Sequence, residues 1–458
     1  MSEEAAGRCA SPIGARVELS HGVLPVGRPG KVYALISLIG KDTGEGKAER
    51  LPLNMNMVLD RSGSMGGHPL EQVKQAAQFL VGQLTANDVA SLTVFDSLVD
   101  VVFPAQHVVN KDLLKSHIEA IWADSMTNLS GGLLRGYEEA FKNNREGQVN
   151  RVLLLTDGQA NEGITDPEIL AAKASSLARK GVSLSTIGVG TDFNEDLLIK
   201  LAEAGRGSYY YVRDSEHIPG VFNVELKGLL SVVAQGITLS VEGLSGCKVS
   251  AVLGYAPQFT ATGATLTLPD MFADEEKQLA VELTFPSLPA GDHPVLRLNL
   301  TYADACHNLA QTSFQLVASL SAGIDIAEPQ QPNFEVITHV ELVRSALLKE
   351  ESVAAMDRGD YDSFKAGLGH QLERMKTLIA DGKVTNPQVL REVEELERMQ
   401  SRADFLATDA QLRSEARKDL RTQSYQMRYS QAAYIPDPGR SSKPSRKQKD
   451  DLDLGDMK

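Results

Sequence analysis

The chain has 458 residues, which at roughly 150 residues per domain implies about three domains. Hydrophobic residues make up 42% and charged residues 23%, an ordinary globular balance that excludes bulk disorder. The net charge of −14 argues against a nucleic-acid backbone as the main partner, since that needs clustered Lys and Arg, and bears chiefly on solubility.

Two stretches rich in Val, Ile and Tyr open the chain, Ala15–Leu19 and Lys31–Ile39, and both read as strands. Two strands in fifty residues cannot close a core. From about residue 51 to 235 strands and helices alternate. The predicted strands are 55–59, 89–95, 99–103, 152–155, 182–189 and 208–212. The predicted helices are 69–84, 111–121, 129–141, 167–180, 195–204 and 218–233, with Asp166 as N-cap before Pro167. Continuous apolar runs such as Val152–Leu155 suit a parallel sheet covered on both faces, and the alternation implies a doubly wound α/β fold. The 89–95 and 99–103 strands are joined too tightly for a parallel crossover, so one is an antiparallel edge.

From 237 to 320 the pattern returns to short strands with turn residues between them, at 237–242, 248–253, 265–268, 278–285, 295–302 and 312–318. The expected architecture is therefore multi-domain. An α/β domain (51–235) is inserted in a β-sandwich made of 1–50 and 236–325, followed by an α-helical region (330–430) and a disordered, charge-mixed tail (436–458). In the helical region, 336–350, 361–379, 387–399 and 409–427 carry i, i+3, i+4 apolar spacing.

Cys9, Cys247 and Cys306 are far apart and form no CxxC, so neither a disulfide framework nor a zinc site is expected, while a single Cys247–Cys306 bridge stays open. The N-terminus reads Met-Ser-Glu-Glu and lacks the apolar core of a signal peptide. No run of 18 apolar residues predicts a membrane span. A cytoplasmic protein is the expectation.

Chemistry concentrates in three loops. Asp60-Arg61-Ser62-Gly63-Ser64 follows the first α/β strand, at the carboxyl edge where open α/β sheets bind ligands. It offers one carboxylate and two hydroxyls, the hard oxygen donors divalent cations prefer, with Gly63 expected to allow the turn between the hydroxyls. Thr127 precedes the 129–141 helix, and Asp157 ends the 152–155 strand within Thr156-Asp157-Gly158. The bland readings are caps: Asp60, Ser62 and Ser64 for the helix beginning near Pro69, and Thr127 for the helix at Leu129.

Asp60-x-Ser62-x-Ser64, Thr127 in Thr-Asn-Leu-x-Gly-Gly, and Thr156-Asp157-Gly158 together resemble the von Willebrand factor A family over residues 52–235. The resemblance implies a metal-ion-dependent adhesion site. Ser62, Ser64 and Thr127 would ligate through hydroxyls, Asp60 and Asp157 mainly through waters, and one position would await a Glu or Asp of a partner protein. Mg²⁺ is the expected ion, with Mn²⁺ or Ca²⁺ as alternatives, and a non-enzymatic protein-binding module is the expected function. The layout resembles proteins that embed this domain in a β-sandwich with a C-terminal helical region.

Competing readings are a regulatory subunit of an AAA-type ATPase or chelatase complex, and a serine hydrolase built on Ser64, whose Ser62-Gly63-Ser64-Met65-Gly66 surroundings lack the first Gly of a nucleophile elbow. His217 and His293 are the imidazoles that a hydrolase would draw on. Gly188-Val189-Gly190 lacks the third Gly of a dinucleotide fingerprint and reads as a strand-end turn. Arg358-Gly359-Asp360 reads as a chance tripeptide between helices.

Overall fold

A computed structural model describes residues 11–41, 50–124, 126–324, 331–380 and 386–429. The chain opens with β1 (Ile13–Leu19), β2 (Val23–Pro25) and β3 (Gly30–Gly40). The α/β part runs β4 (Leu53–Asp60), α1 (His68–Gln83), β5 (Val89–Phe95), β6 (Val99–His107), α2 (Lys111–Glu119), α3 (Leu129–Lys142), β7 (Val149–Thr156), α4 (Pro167–Ala178), β8 (Val182–Val189), α5 (Glu195–Ala204), β9 (Arg206–Val212) and α6 (Ile218–Leu230).

Its sheet has the order β6-β5-β4-β7-β8-β9, all parallel except β6, which pairs antiparallel with β5 at the edge. Every residue of β4, β5, β7 and β8 is buried, because helices cover both faces. Met57 and Leu59 of β4 pack with Leu80, Ile118 and Phe222 on one side, and Val58 packs with Leu133, Tyr137 and Leu198 on the other. α3 lies close to the sheet because its facing positions are glycines. A Cβ on Gly136 would stand 2.2 Å from Val58 Cγ2, and one on Gly132 would stand 2.5 Å from Phe95 Cδ1.

The chain then forms β10 (Val232–Gly243), β11 (Lys248–Val252), β12 (Gln258–Phe259), β13 (Gly263–Thr267), β14 (Met271–Phe272), β15 (Glu276–Phe285), β16 (Gly291–Asp304) and β17 (Ala310–Gly323). The helix expected over 218–233 stops at Leu230, and Val232 already begins β10. Val232–Ile237 is apolar enough to continue either element, and pairing of Val232 with Phe272 and Ala234 with Met271 takes it into the sheet.

Strands from before and after the α/β part share sheets. One sheet has the order β1-β3-β15-β11, the other β12-β13-β10-β16-β17-β2. Ile36 and Leu38 of β3 and Val281 of β15 share one apolar core with Leu239, Val241 and Leu300 of the second sheet. The exit and return of the chain are adjacent, since a Cβ on Gly40 would touch Val233 Cγ2 at 3.3 Å. Cys247 and Cys306 are both free thiols, which closes the open question of a bridge between them. Cys9 lies outside the described residues.

Four helices follow, α7 (Phe334–Asp357), α8 (Tyr361–Ala380), α9 (Pro387–Leu406) and α10 (Ala410–Arg428). α7 covers β3 and β15 with Val336 and Val340 against Leu35 and Ala280. α8 runs unbroken through Gly367 and Gly369. α10 turns back onto the α/β part. Lys418 Nζ reaches Glu195 at 2.6 Å and the Phe193 carbonyl at 2.8 Å, and Tyr425 packs edge-on against Tyr209 with ring centroids 5.6 Å apart. Arg358-Gly359-Asp360 is the α7–α8 turn, with Gly359 at φ 74°. The tail expected from 436 onward lies outside the described residues. No helix among them is long and apolar enough to cross a membrane.

Candidate functional site

In sequence order the sheet reads third-second-first-fourth-fifth-sixth strand, so chain direction switches between β4 and β7, where Leu59 pairs with Leu155. Doubly wound sheets bind ligands outside the carboxyl ends at such a switch point. Asp60 is the last residue of β4, and Asp157 follows the last residue of β7. The topology therefore brings together two carboxylates from segments nearly a hundred residues apart.

The hydroxyls join them. Ser64 Oγ donates to Asp157 Oδ1 at 2.8 Å, and Ser62 Oγ lies 3.3 Å from Ser64 Oγ. Asp60 accepts from the Ser62 amide at 2.8 Å and from the Thr156 hydroxyl. Thr127 abuts the Asp157 turn so closely that a Cβ on Gly158 would stand 3.0 Å from Thr127 Oγ1. All five expected residues thus converge at one edge of the sheet.

The capping readings fail locally. The N-cap of α1 is Gly67, at φ 82° and with no side-chain cap bond. The short 3₁₀ turn Gly63–Met65 has Ser62 as N-cap, again without a side-chain cap bond. α3 is capped by Asn128, whose side chain accepts from the Gly131 amide, and this leaves the Thr127 hydroxyl for the site. The role expected of Gly63 is corrected. The positive φ in this loop falls on Gly67, and Gly63 turns within ordinary 3₁₀ geometry.

Burial pushes the Asp60 carboxyl above its ordinary value and nearby Asp96 adds to the rise, against hydrogen bonds from Ser62 and Thr156. Asp157 is pushed up to about 6, by burial first and by Asp60 and Asp192 as well, against its bond from Ser64. Arg61, next to Asp60 in sequence, turns away. Arg61 binds Asp96 through Nε at 2.8 Å and Asp100 through a terminal nitrogen at 2.6 Å. Two carboxylates raised by burial, Asp60 by Asp96 as well and Asp157 by Asp60, with Arg61 bonded elsewhere, are what a bound cation relieves. Two carboxylates and three hydroxyls also suit a hard divalent ion in kind. No group of three or more His, Cys, Asp or Glu side chains that could hold a metal occurs among the described residues, so hydroxyls must carry much of any coordination here.

Sequence reasoning missed Asp96, Asp100 and Asp192. Asp96 sits just past the end of β5, where a carboxyl-edge position was the available signal, whereas nothing local marked its pairing with Arg61. Among the described residues Ser64 donates to Asp157 and to no histidine, His293 bonds the Pro289 carbonyl, and His217 stands at the N-cap position of α6. A pocket of about 500 Å³ opens beside Asp157, lined among others by His68, Thr191, Asp192, Arg213 and His217.

Residues 54–224 match the von Willebrand factor type A domain family. The chain is 28% identical over 316 residues to the uncharacterized protein sll0103 of Synechocystis, covering 67% of this chain and 74% of that one. It is 30% identical over 210 residues to YfbK of Escherichia coli, covering 45% of this chain and 36% of YfbK. It is 27% identical over 202 residues to mouse inter-alpha-trypsin inhibitor heavy chain H3, covering 42% of this chain and 22% of that protein. The chain thus spans about a third and about a fifth of the last two relatives. Among solved structures, a von Willebrand factor type A protein from Catenulispora acidiphila aligns with TM-score 0.65 at 17% identity, over 80% of this chain and 87% of that one. The ArnB paralog VWA2 from Sulfolobus acidocaldarius aligns with TM-score 0.57 at 18% identity, over 90% and 99%. The chain carries a von Willebrand factor type A domain, with further sheets and C-terminal helices around it.

Proposed function

We propose that Asp60, Ser62, Ser64, Thr127 and Asp157 form a metal-ion-dependent adhesion site for Mg²⁺ through which this domain binds a carboxylate of a partner protein. The observation that carries it is the convergence of two carboxylates and three hydroxyls at one edge of the sheet, with Arg61 drawn off by Asp96 and Asp100. When bound, the ion supplies a hard electrophilic centre for one incoming carboxylate oxygen. The chain's own residues do the rest. Thr156 and the Ser62 amide fix Asp60, and Ser64 orients Asp157. The scaffold in this reading is a β-sandwich of residues 1–50 and 236–325, with 51–235 inserted through one end and 330–430 a helical region packed against both.

Thermal unfolding tests the ion. Mg²⁺ should raise the midpoint of the native chain relative to EDTA, and should not raise that of Asp60→Ala combined with Thr127→Ala. Equal shifts in both chains would sink the assignment. Affinity capture in Mg²⁺ against EDTA then reads the partner side.

A further inference from the structure

Three large apolar side chains stand in water at the rim of this site. Leu98 is 68% exposed, Trp122 64% and Met126 55%. The Met126 amide donates to Ser97 Oγ at 3.3 Å, which sets the Leu98 turn beside it. Trp122 lies over the Arg61 guanidinium at 5.7 Å, and the Asp124 amide bonds the Arg61 carbonyl at 2.8 Å. Arg61 separates Asp60 from Ser62, and Met126 precedes Thr127. Scattered exposed apolar residues are ordinary, but a cluster at a binding edge marks a surface that is covered by something. An occupant that brings a carboxylate together with neighbouring bulky apolar side chains would fill both the site and this rim.

The chain itself contains such a sequence, Asp450-Asp451-Leu452-Asp453-Leu454. We propose that this segment occupies the adhesion site of its own molecule, with Asp451 or Asp453 giving its carboxylate to the metal and Leu452 and Leu454 covering Trp122, Met126 and Leu98. The proposal rests on the metal-site reading above.

The tether is long enough. α10 runs from Ser414, whose hydroxyl bonds the Thr191 carbonyl at the pocket, to Arg428, which bonds Gly254 and Glu203. Its 19 residues span about 28 Å, so Tyr429 lies about one helix length from the site. The 22 residues from Tyr429 to Asp451 extend to at most roughly 75 Å. A tethered ligand of this kind competes at an effective concentration on the order of millimolar, so an outside carboxylate would have to displace it.

Trp122 is the single tryptophan of the chain and reports on the rim. In the full chain Mg²⁺ should shift its emission to the blue, and EDTA should reverse the shift. D451N with D453N should abolish that shift while Mg²⁺ still raises the unfolding midpoint, and Leu452→Ser with Leu454→Ser should weaken it. A fluorescein-labelled peptide of residues 446–458 should bind the D451N/D453N chain in Mg²⁺ and not in EDTA, and should bind the native chain at least tenfold more weakly. An emission shift unchanged by D451N/D453N, equal peptide affinity for the two chains, peptide binding that survives EDTA, or a shift that appears only on concentrating the protein would each overturn the proposal and leave the metal site standing. A thermal midpoint indifferent to Mg²⁺ in every variant would instead mean that the metal reading itself had failed, and the proposal with it.

Discussion

Gly136→Ala tests whether α3 is held against the sheet by the absence of a side chain. The added Cβ would stand 2.2 Å from Val58 Cγ2, far inside the ordinary contact of about 3.5–4.0 Å. Val58 is fully buried in the central strand β4, so the helix must move outward. Overpacking of this kind costs about 1–3 kcal/mol, and the rigid neighbour places this case near the upper end. Ala is favoured over Gly in a helix interior by about 1 kcal/mol. The net expectation is a loss of about 2 kcal/mol. Gly82→Ala in α1 is the control, since nothing lies within 4 Å of its Cβ, and it should be neutral or stabilising by up to about 1 kcal/mol. Urea unfolding followed by Trp122 fluorescence reads both variants in the α/β part. Because the Thr127–Asn128 turn leads directly into α3, Gly136→Ala should also weaken Mg²⁺ stabilisation. If Gly136→Ala proves as stable as Gly82→Ala, close packing of α3 is not what sets that helix.

Three further outcomes follow from buried charges. Burial holds the His339 imidazole down to about 4, and its Nε2 has no hydrogen-bond partner. A depressed folded value means that the stability from the neutral ring is complete above about 6.5 and is lost as pH falls toward 4; linkage puts the loss at about 2 kcal/mol by pH 5, so His339→Leu should flatten the acid limb of a stability-versus-pH curve. Lys349 is fully buried, with Nζ 2.7 Å from Glu392. Lys349→Met should cost about 3–5 kcal/mol by stranding Glu392, while Lys349→Met with Glu392→Leu should recover most of it, as measured by denaturant midpoints. Lys418→Met strands Glu195 in part, since Arg417 still reaches it, and it should make α10 more accessible to hydrogen exchange before the α/β sheet opens.

The alternation of β4 through α6 was legible because each element is bounded by its own punctuation. β5, β8 and α5 end where the sequence places them, at Phe95, Val189 and Ala204, next to residues that cap or turn the chain. β12 and β14 are two residues each and β2 is three. No periodicity exists in so few residues, and only their neighbours in the sheet define them. The five oxygen-bearing residues could be read because each lies at a strand end or a helix entry, places that local sequence marks. The partners that draw Arg61 away could not, since Asp100 lies on β6 and meets Arg61 only when β6 folds back on β5. The docking of α10 was also hidden. Lys418 is 3% exposed, yet a lysine among arginines and aspartates reads as a solvated face.

That docking links the helical region to the edge of the site. Glu195 and Asp196 open α5, where their charges favour the helix N-terminus, and both are taken by Arg417, with Lys418 adding to Glu195. Arg417 also binds Asp357 at the end of α7. The loop just before α5 carries Asp192, which raises the Asp157 carboxyl, and it lines the pocket beside it. A displacement of α10 would therefore act first on Glu195 and Asp196, which follow that loop directly. α7 is seated on the outer face of the β3–β15 sheet through Val336 and Val340, so the strut is anchored on the sheet body at one end and on the α/β domain at the other. The α5 end of the α/β sheet is in this way tied to residues more than two hundred positions away in sequence, by ion pairs in which Arg417 is the shared member.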